Sequence, residues 1–340
     1  MSKIESSESR DRRGFLDSRS DRFIDGAFLA FIVVLTIRYL AFISKMHVPM
    51  WDACVYLTNA RNWMTGVPLF EIYRPPLLSW IITAVWLFTG ENWEIVMPLA
   101  ALFSIGSGII LYLTLRPRKG SLFALGVTVL TMLNPQVFFY SSQIYTEGIS
   151  LFFLIATLFF LKSQSETHWF LGGIMTGLAF SSRYPAIVQC GAILAAEFLV
   201  RRRLKLLVRA MMGALPTILI VVAAVYLKTG RFQTALPKDV VFSLLPSPYY
   251  LVNSVAIWGF AFILIPIAFI FRRTYSDSYN HAFIAWFVAG MLFWSMNVSN
   301  QQYRFSVGFT PAVSYIVYLT IENLMKFKTR SDLVFAHQNP

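Results

Sequence analysis

The chain has 340 residues, of which 56% are hydrophobic and only 14% are charged, and its formal net charge is +12. A soluble domain of this length could not bury so much apolar surface, so the composition excludes a soluble globular protein and predicts an integral membrane protein. Cytoplasmic loops and anionic lipid headgroups explain a basic balance in such a protein, and we therefore expect no nucleic-acid partner.

The N-terminal residues 1–23 are rich in Ser, Arg and Asp and contain no apolar run. They predict a disordered, basic cytoplasmic tail, and we expect no cleavable signal peptide there. The two cysteines and four histidines are scattered along the chain without the spacing of metal ligands. We therefore expect no metal site and no cofactor.

About ten apolar runs predict transmembrane helices and hence an all-α polytopic membrane protein. In chain order the predicted spans are 24–43, 93–115, 122–140, 149–161, 169–180, 186–200, 206–227, 251–271, 282–296 and 305–324. The run at 77–89 is apolar but only about 13 residues long, which favours a helix lying on the membrane over one that crosses it.

The distribution of Lys and Arg supports this topology. If 77–89 lies at the interface, the Arg116-Pro117-Arg118-Lys119 cluster falls on the cytoplasmic side, as the positive-inside rule requires. The prediction is then a transmembrane domain at 24–326 with both termini inside, a first outer loop at 44–92 and a cytoplasmic tail at 327–340.

Polar and ionisable residues gather at the predicted outer ends of the helices. They come from separate loops, but the topology brings them to one face: Asp52, Arg61, Arg74, Glu147, Arg183, Tyr303 and Arg304. Such groups are costly near lipid unless they pair or line a cavity, so their convergence predicts a site built between helices. Arg61 is the exception, because we expect it to face solvent on an amphipathic helix.

The first outer loop carries the most specific pattern in the chain. It reads Trp51-Asp52-Ala53-Cys54-Val55-Tyr56, then Gly66, then Tyr73-Arg74-Pro75-Pro76-Leu77. This pattern resembles the polyprenyl-phosphate-sugar-dependent glycosyltransferases of the C-type membrane fold, the superfamily of protein O-mannosyltransferases and aminoarabinose transferases. Weaker echoes follow at Tyr145-Thr146-Glu147, Ser182-Arg183-Tyr184-Pro185 and Gln302-Tyr303-Arg304-Phe305.

The resemblance implies a C-type fold, with interfacial helices in the first outer loop, and an inverting transfer with Asp52 as the catalytic base. Sugar transfer from a lipid phosphate needs a base for the acceptor proton and cations for the departing phosphate. Guanidinium groups match phosphate oxygens and stay charged beside lipid, so Arg74, Arg183 and Arg304 are the predicted phosphate-binding residues.

The remaining predicted site residues support these four. They are Tyr56, Tyr73, Glu147 and Tyr303, and for Glu147 a structural ion pair with one of the arginines is the alternative. The chain departs from the family pattern at Ala53, where many relatives carry a second acid. That departure leaves Asp52 alone in its motif and disfavours a two-acid or metal-assisted scheme.

The sequence thus predicts a glycosyltransferase that moves a sugar from a polyprenyl-phosphate donor, dolichyl or undecaprenyl, to a lipid, glycan or protein acceptor. The reaction is placed at the outer or lumenal face, and a prokaryotic plasma membrane is favoured over the endoplasmic reticulum. Two other functions remain open: a lipid or sugar transporter, and a noncatalytic subunit of a glycosylation complex. Transporters usually show internal repeats and broken helices at the midplane, whereas these polar groups lie at one face.

Overall fold

The structure is a computed structural model that describes residues 19–231, 243, 245–253, 257–271, 277–297 and 302–338. In these ranges the chain forms helices joined by short turns. The helices are α1 (Arg19–Ile43), α2 (Trp51–Thr65), α3 (Leu77–Thr89), α4 (Trp93–Lys119), α5 (Ser121–Met132), α6 (Pro135–Ser141), α7 (Thr146–Leu161), α8 (Glu166–Ser182), α9 (Ala186–Arg201), α10 (Leu204–Thr229), α11 (Tyr249–Val252), α12 (Leu264–Ala268), α13 (Ser278–Met296) and α14 (Thr310–Gln338), with 3₁₀ helices at Gly259–Ile263 and Tyr303–Phe309.

The all-α membrane architecture predicted from the sequence is confirmed. Among the described residues, four helices are long and apolar enough to cross a membrane, or five if α5 and α6 form one bent span. These four are Ser20–Ile43, Trp93–Lys119, Leu204–Thr229 and Tyr303–Phe327. The count of ten spans therefore stays a prediction, and the observed helices are compatible with it.

Two of the predicted spans are not continuous helices. The run at 122–140 breaks into α5 and α6, which meet at 64°. The break falls where Asn134 caps α6 with its side chain and Pro135, which has no backbone N–H, takes the first helical position. The run at 251–271 is likewise split, because Gly259 adopts a φ of 63° and the segment continues as a 3₁₀ helix into α12.

The two ends of the chain and one segment between predicted spans can be compared with the bounds predicted from the sequence. Helix α1 begins at Arg19, five residues before the predicted span, whereas residues 1–18 of the predicted tail lie outside the described residues. Helix α14 runs on to Gln338, through most of the predicted C-terminal tail. Of the segment between the predicted spans 206–227 and 251–271, residues 232–242 and 244 lie outside the described residues.

The first outer loop folds as two short helices packed on each other. Helix α2 ends at Gly66, whose φ of 77° is left-handed and suits glycine, and α3 starts directly after Pro76. The hydroxyls of Ser79 and Thr83 on α3 donate to the Tyr56 and Ala60 carbonyls on α2, at 3.1 and 3.0 Å. This packing matches the expectation that 77–89 is a short helix rather than a span.

Helices α7, α8 and α9 run up and down through the core, so their ends alternate between two ends of the bundle. The N-terminus of α7, the turn from α8 to α9 and the 3₁₀ helix at Tyr303–Phe309 meet near α2 at one end. Helix α8 is also in close contact with α10 through small residues, because Gly173 faces the backbone of Ala210 and Gly213 faces that of Phe170.

This close approach of α8 and α10 predicts a strong effect of one added methyl group. A Cβ at Gly173 would lie inside contact distance of the Ala210 carbonyl, which is backbone and cannot rotate away. We expect Gly173→Ala to lower the thermal unfolding temperature of the detergent-purified protein, with a cost of about 1–3 kcal/mol typical of overpacking. The matched control is Gly191→Ala in α9, where a Cβ meets no atom within 4 Å. Equal unfolding temperatures for the two variants would contradict the packing.

Candidate active site

A polar cavity of about 390 Å³ lies at the end of the bundle where α2 meets the 3₁₀ helix Tyr303–Phe309. Its walls come from α2, the loop before α3, the start of α7, the turn between α8 and α9, and the end of α13. Seven of the eight predicted site residues line it: Asp52, Tyr56, Tyr73, Arg74, Glu147, Arg183 and Arg304.

Asp52 is the second residue of α2 and lies between two arginines. Its side chain is only 12% exposed, and its Oδ1 accepts a hydrogen bond from Arg74 Nη2 at 2.8 Å, while Oδ2 accepts one from Arg304 Nη1. Burial opposes ionisation of Asp52, but the guanidinium groups of Arg304 and Arg74 outweigh that cost and hold the pKa of the carboxyl below its ordinary value. Asp52 is therefore a carboxylate at neutral pH.

Glu147 and Arg183 extend this pair into a network. Glu147, in the first turn of α7, is 4% exposed at its side chain, and its Oε1 lies 3.2 Å from Arg183 Nη1 and 3.7 Å from Arg304 Nε. The Arg183 guanidinium also lies over the Phe305 and Trp294 rings, at 4.7 and 5.2 Å from their centroids. Arg304 thus links the two buried carboxylates.

Two amide side chains of α2 bind the loop before α3, and Asn62 makes one of the contacts by donating through Nδ2 to the Pro68 carbonyl at 2.7 Å. Asn59 Oδ1 accepts from the backbone N–H groups of Phe70 and Glu71, at 2.9 and 3.3 Å, and its Nδ2 donates to the Glu71 carbonyl at 2.9 Å. Glu71 in turn accepts from Arg74 Nε at 3.1 Å. Asn59 is therefore a positioning residue, since it fixes the loop that carries Arg74 into the cavity.

Two of the predicted supporting tyrosines line the cavity and one does not. Tyr56 is buried, which raises the pKa of its phenol, and Arg74 lies 5.7 Å from its ring centroid. Tyr73 lines the cavity mouth and is 38% exposed. Tyr303 points away, because its hydroxyl donates to Asn253 Oδ1 at 3.1 Å and its ring stacks on Tyr249. As expected, Arg61 also lies apart, on the surface, where it pairs with Glu91.

Nine residues of the cavity lining were not selected as site residues from the sequence: Glu71, Pro75, Tyr145, Thr146, Tyr184, Pro185, Trp294, Gln302 and Phe305. Glu71 could have been found, because an acid three residues before Arg74 in the same polar loop is a natural ion-pair partner. Apart from Glu71 and Trp294, these residues lie inside motifs that were recognised in the sequence. Trp294 carries no local signal, since it lies in an apolar run and reaches the cavity only through the packing of α13.

Formal charge in the cavity is balanced. Three arginines, Arg74, Arg183 and Arg304, face three carboxylates, and each arginine contacts at least one of them. Within the described part of the chain, no group of three or more His, Cys, Asp or Glu side chains has the geometry of a metal site.

Comparison with known proteins identifies the fold. Residues 73–227 match the family of dolichyl-phosphate-mannose-protein mannosyltransferases. ArnT from Cupriavidus metallidurans, solved bound to undecaprenyl phosphate, superposes with a TM-score of 0.71 at 16% identity over 87% of this chain and 59% of that one. The archaeal oligosaccharyltransferase AglB from Archaeoglobus fulgidus was solved with an inhibitory peptide and a dolichol-phosphate. It superposes with a TM-score of 0.60 at 13% identity, over 95% of this chain and 52% of the AglB chain.

The chain has the fold of the C-type glycosyltransferases. The resemblance expected from the first outer loop is thereby confirmed. The chain spans less than two thirds of the length of either ArnT or AglB. No curated protein matches the sequence significantly.

The role of Asn59 can be tested through the amides that it binds. We expect Asn59→Ala to speed hydrogen exchange at the Phe70 and Glu71 amides about fivefold, because each hydrogen bond contributes about 1 kcal/mol. Exchange measured by mass spectrometry gives the rates. Asn59→Asp keeps the acceptor oxygen and should keep most of the protection. Unchanged exchange in Asn59→Ala would show that the loop is held by other contacts.

Proposed function

We propose that this protein is a glycosyltransferase that moves a sugar from a polyprenyl-phosphate donor to an acceptor hydroxyl or amine at the outer or lumenal face of its membrane. The observation that carries the proposal is the Asp52 carboxylate held between Arg74 and Arg304 in a cavity that Arg183 also lines. The family match and the shared fold with ArnT and AglB support it.

Each group has a role in the reaction that its chemistry suits. Asp52 takes the proton of the acceptor group as the acceptor oxygen or nitrogen forms its bond to the anomeric carbon of the sugar. The bond from that carbon to the phosphate oxygen breaks, and its electron pair leaves with the polyprenyl phosphate. Arg74, Arg183 and Arg304 stabilise the negative charge that develops there. A single displacement of this kind inverts the anomeric carbon.

The internal ion pairs suggest how donor binding and base activation are linked. Arg74 and Arg304 both donate to Asp52, and a carboxylate whose two oxygens accept charged hydrogen bonds is a weak base. A donor phosphate competes for the same guanidinium groups. As they turn toward the phosphate, Asp52 loses hydrogen bonds and becomes more basic where the acceptor must be deprotonated.

The aromatic lining of the cavity bears on which acceptors fit it. The described walls of the cavity carry four tyrosines and Trp294 beside the charged network. Aromatic rings with polar tips suit amphipathic ligands at a membrane surface, a class that includes glycolipids and membrane-anchored glycans as well as exposed peptide segments.

The main test removes the proposed base and keeps the shape of its side chain. We expect Asp52→Asn to lower turnover by a factor of about 10² to 10⁴, the range for a lost general base, in purified protein that retains its thermal unfolding profile. Release of polyprenyl phosphate from radiolabelled polyprenyl-phosphate sugars measures turnover. Glu91→Gln is the matched control, since Glu91 is an outer-loop acid that pairs with the exposed Arg61 outside the cavity.

Wild-type turnover in Asp52→Asn would refute the role of Asp52. Movement of the labelled lipid across vesicles without any change in its covalent structure would favour a transporter instead. Absence of transfer with every donor, together with co-purification of an active partner, would favour a noncatalytic subunit.

The proposed face of the membrane can be tested with a natural thiol. Cys54 is exposed on α2 beside the charged pair Arg61–Glu91, whereas Cys190, the other cysteine of the chain, is buried. We expect a membrane-impermeant maleimide to label intact cells expressing the protein through Cys54. In a Cys54→Ser background, Lys205→Cys at the opposite end of the bundle should react only after permeabilisation. The reverse pattern would place the cavity on the cytoplasmic side.

A further inference from the structure

A second polar cavity, of about 250 Å³, lies at the opposite end of the bundle. Its charged walls come from the ends of α4, α7 and α9 and from the start of α13: Arg118, Lys162, Glu197, Arg201 and Asp277. Helix α7 separates the two cavities, since Glu147 is in its first turn and Lys162 follows its last residue. At 1.5 Å per residue the two ends are about 24 Å apart.

One deeply buried carboxylate forms ion pairs with two cations in this cavity. The Glu197 side chain is 3% exposed, and its oxygens lie 2.5 Å from Lys162 Nζ and 3.3 Å from Arg201 Nε. The second acid, Asp277, pairs with Lys119 of α4. Arg118 adds a further cation to the lining. Among the described residues that line this cavity, three cations therefore face two carboxylates, in contrast to the balanced charge of the candidate active site.

Two of the cations that line this cavity, Lys162 and Arg201, are held in fixed positions. Lys162 lies 3.8 Å from the centroid of the Tyr279 ring and donates to the Tyr279 carbonyl at 3.2 Å. Arg201 donates through Nη2 to the Lys162 carbonyl at 2.7 Å. A purely structural ion-pair cluster would gain most from closing around its charges, because buried charge is costly without full compensation. Here the cations remain around an open cavity and carry excess positive charge.

We propose that this second cavity binds a phosphate group, supplied either by an anionic lipid headgroup of the adjacent leaflet or by free inorganic phosphate. Lysine and arginine at fixed positions are the usual partners of phosphate oxygens, and basic pockets between transmembrane helices on the cytoplasmic side hold lipid headgroups. The positive-inside pattern puts this end of the bundle on the cytoplasmic side. The site is separate from the proposed transfer reaction and does not depend on it.

The test measures binding rather than turnover. The full-length protein is reconstituted in phosphatidylcholine nanodiscs, and the binding of inorganic phosphate is measured by calorimetry. A parallel sample contains phosphatidylglycerol in the nanodiscs, and native mass spectrometry counts the lipids that the protein retains. We expect Arg118→Gln to weaken binding about tenfold. The matched control, Arg203→Gln, removes one exposed positive charge at the same end but outside the cavity lining and should bind like wild type.

A second variant separates ligand binding from a structural role. Glu197→Gln removes the carboxylate that competes for Lys162 and Arg201, so we expect tighter phosphate binding even if the unfolding temperature falls. A cluster with a structural role alone would lose stability and show no gain in binding.

The two arms of the titration distinguish the sources of the phosphate. If phosphatidylglycerol is retained only when Arg118 is present, and blocks the binding of inorganic phosphate, the ligand is a lipid headgroup. If phosphatidylglycerol does not affect the binding of inorganic phosphate, the ligand is the free ion. Either result supports the site. Absence of binding in both arms, or equal effects of Arg118→Gln and Arg203→Gln, would overturn the proposal, and neither result bears on sugar transfer.

Discussion

The bridge from Arg74 through Asp52 to Arg304 is the interaction on which the candidate active site depends. It joins Asp52 of α2 to Arg74, 22 residues later in the loop before α3, and to Arg304, 252 residues later in the 3₁₀ helix Tyr303–Phe309. An acid this buried is costly unless charged donors surround it, and the two arginines supply that compensation. The same contacts draw the first outer loop over the end of the bundle and so help to form the cavity that the proposed reaction needs.

Two stretches of irregular backbone carry residues of that cavity: the loop before α3 and the 3₁₀ helix at Tyr303–Phe309. The break between α5 and α6 lies elsewhere, where Asn134 donates to the Ile257 carbonyl. Non-helical backbone near the membrane needs partners for its polar groups, and Asn59 and Asn134 supply them with their side chains. The loop and the 3₁₀ helix bring tyrosines and arginines from distant parts of the chain to one place.

The two ends of the bundle use buried charge differently. Around Asp52 the arginines and carboxylates match in number, so a phosphate must take guanidinium groups away from acids already bound to them. This exchange would tie the arrival of the donor to the release of the base. At the opposite end, Glu197 is shared between Lys162 and Arg201 and leaves positive charge uncompensated. This excess positive charge suits the retention of an anion.

The sequence by itself determined the membrane class, the short helix at 77–89 and most of the cavity-lining charged residues, because apolar run length and charge distribution are local properties. Hydropathy summed over 122–140 missed the break at Asn134, although Asn134 followed by Pro135 is a local signal for the start of a helix. Only the tertiary structure decided that Trp294 lines the cavity while Tyr303 turns to Asn253. It also decided which carboxylate each arginine meets, since ion pairing depends on distances across helices that no linear pattern encodes.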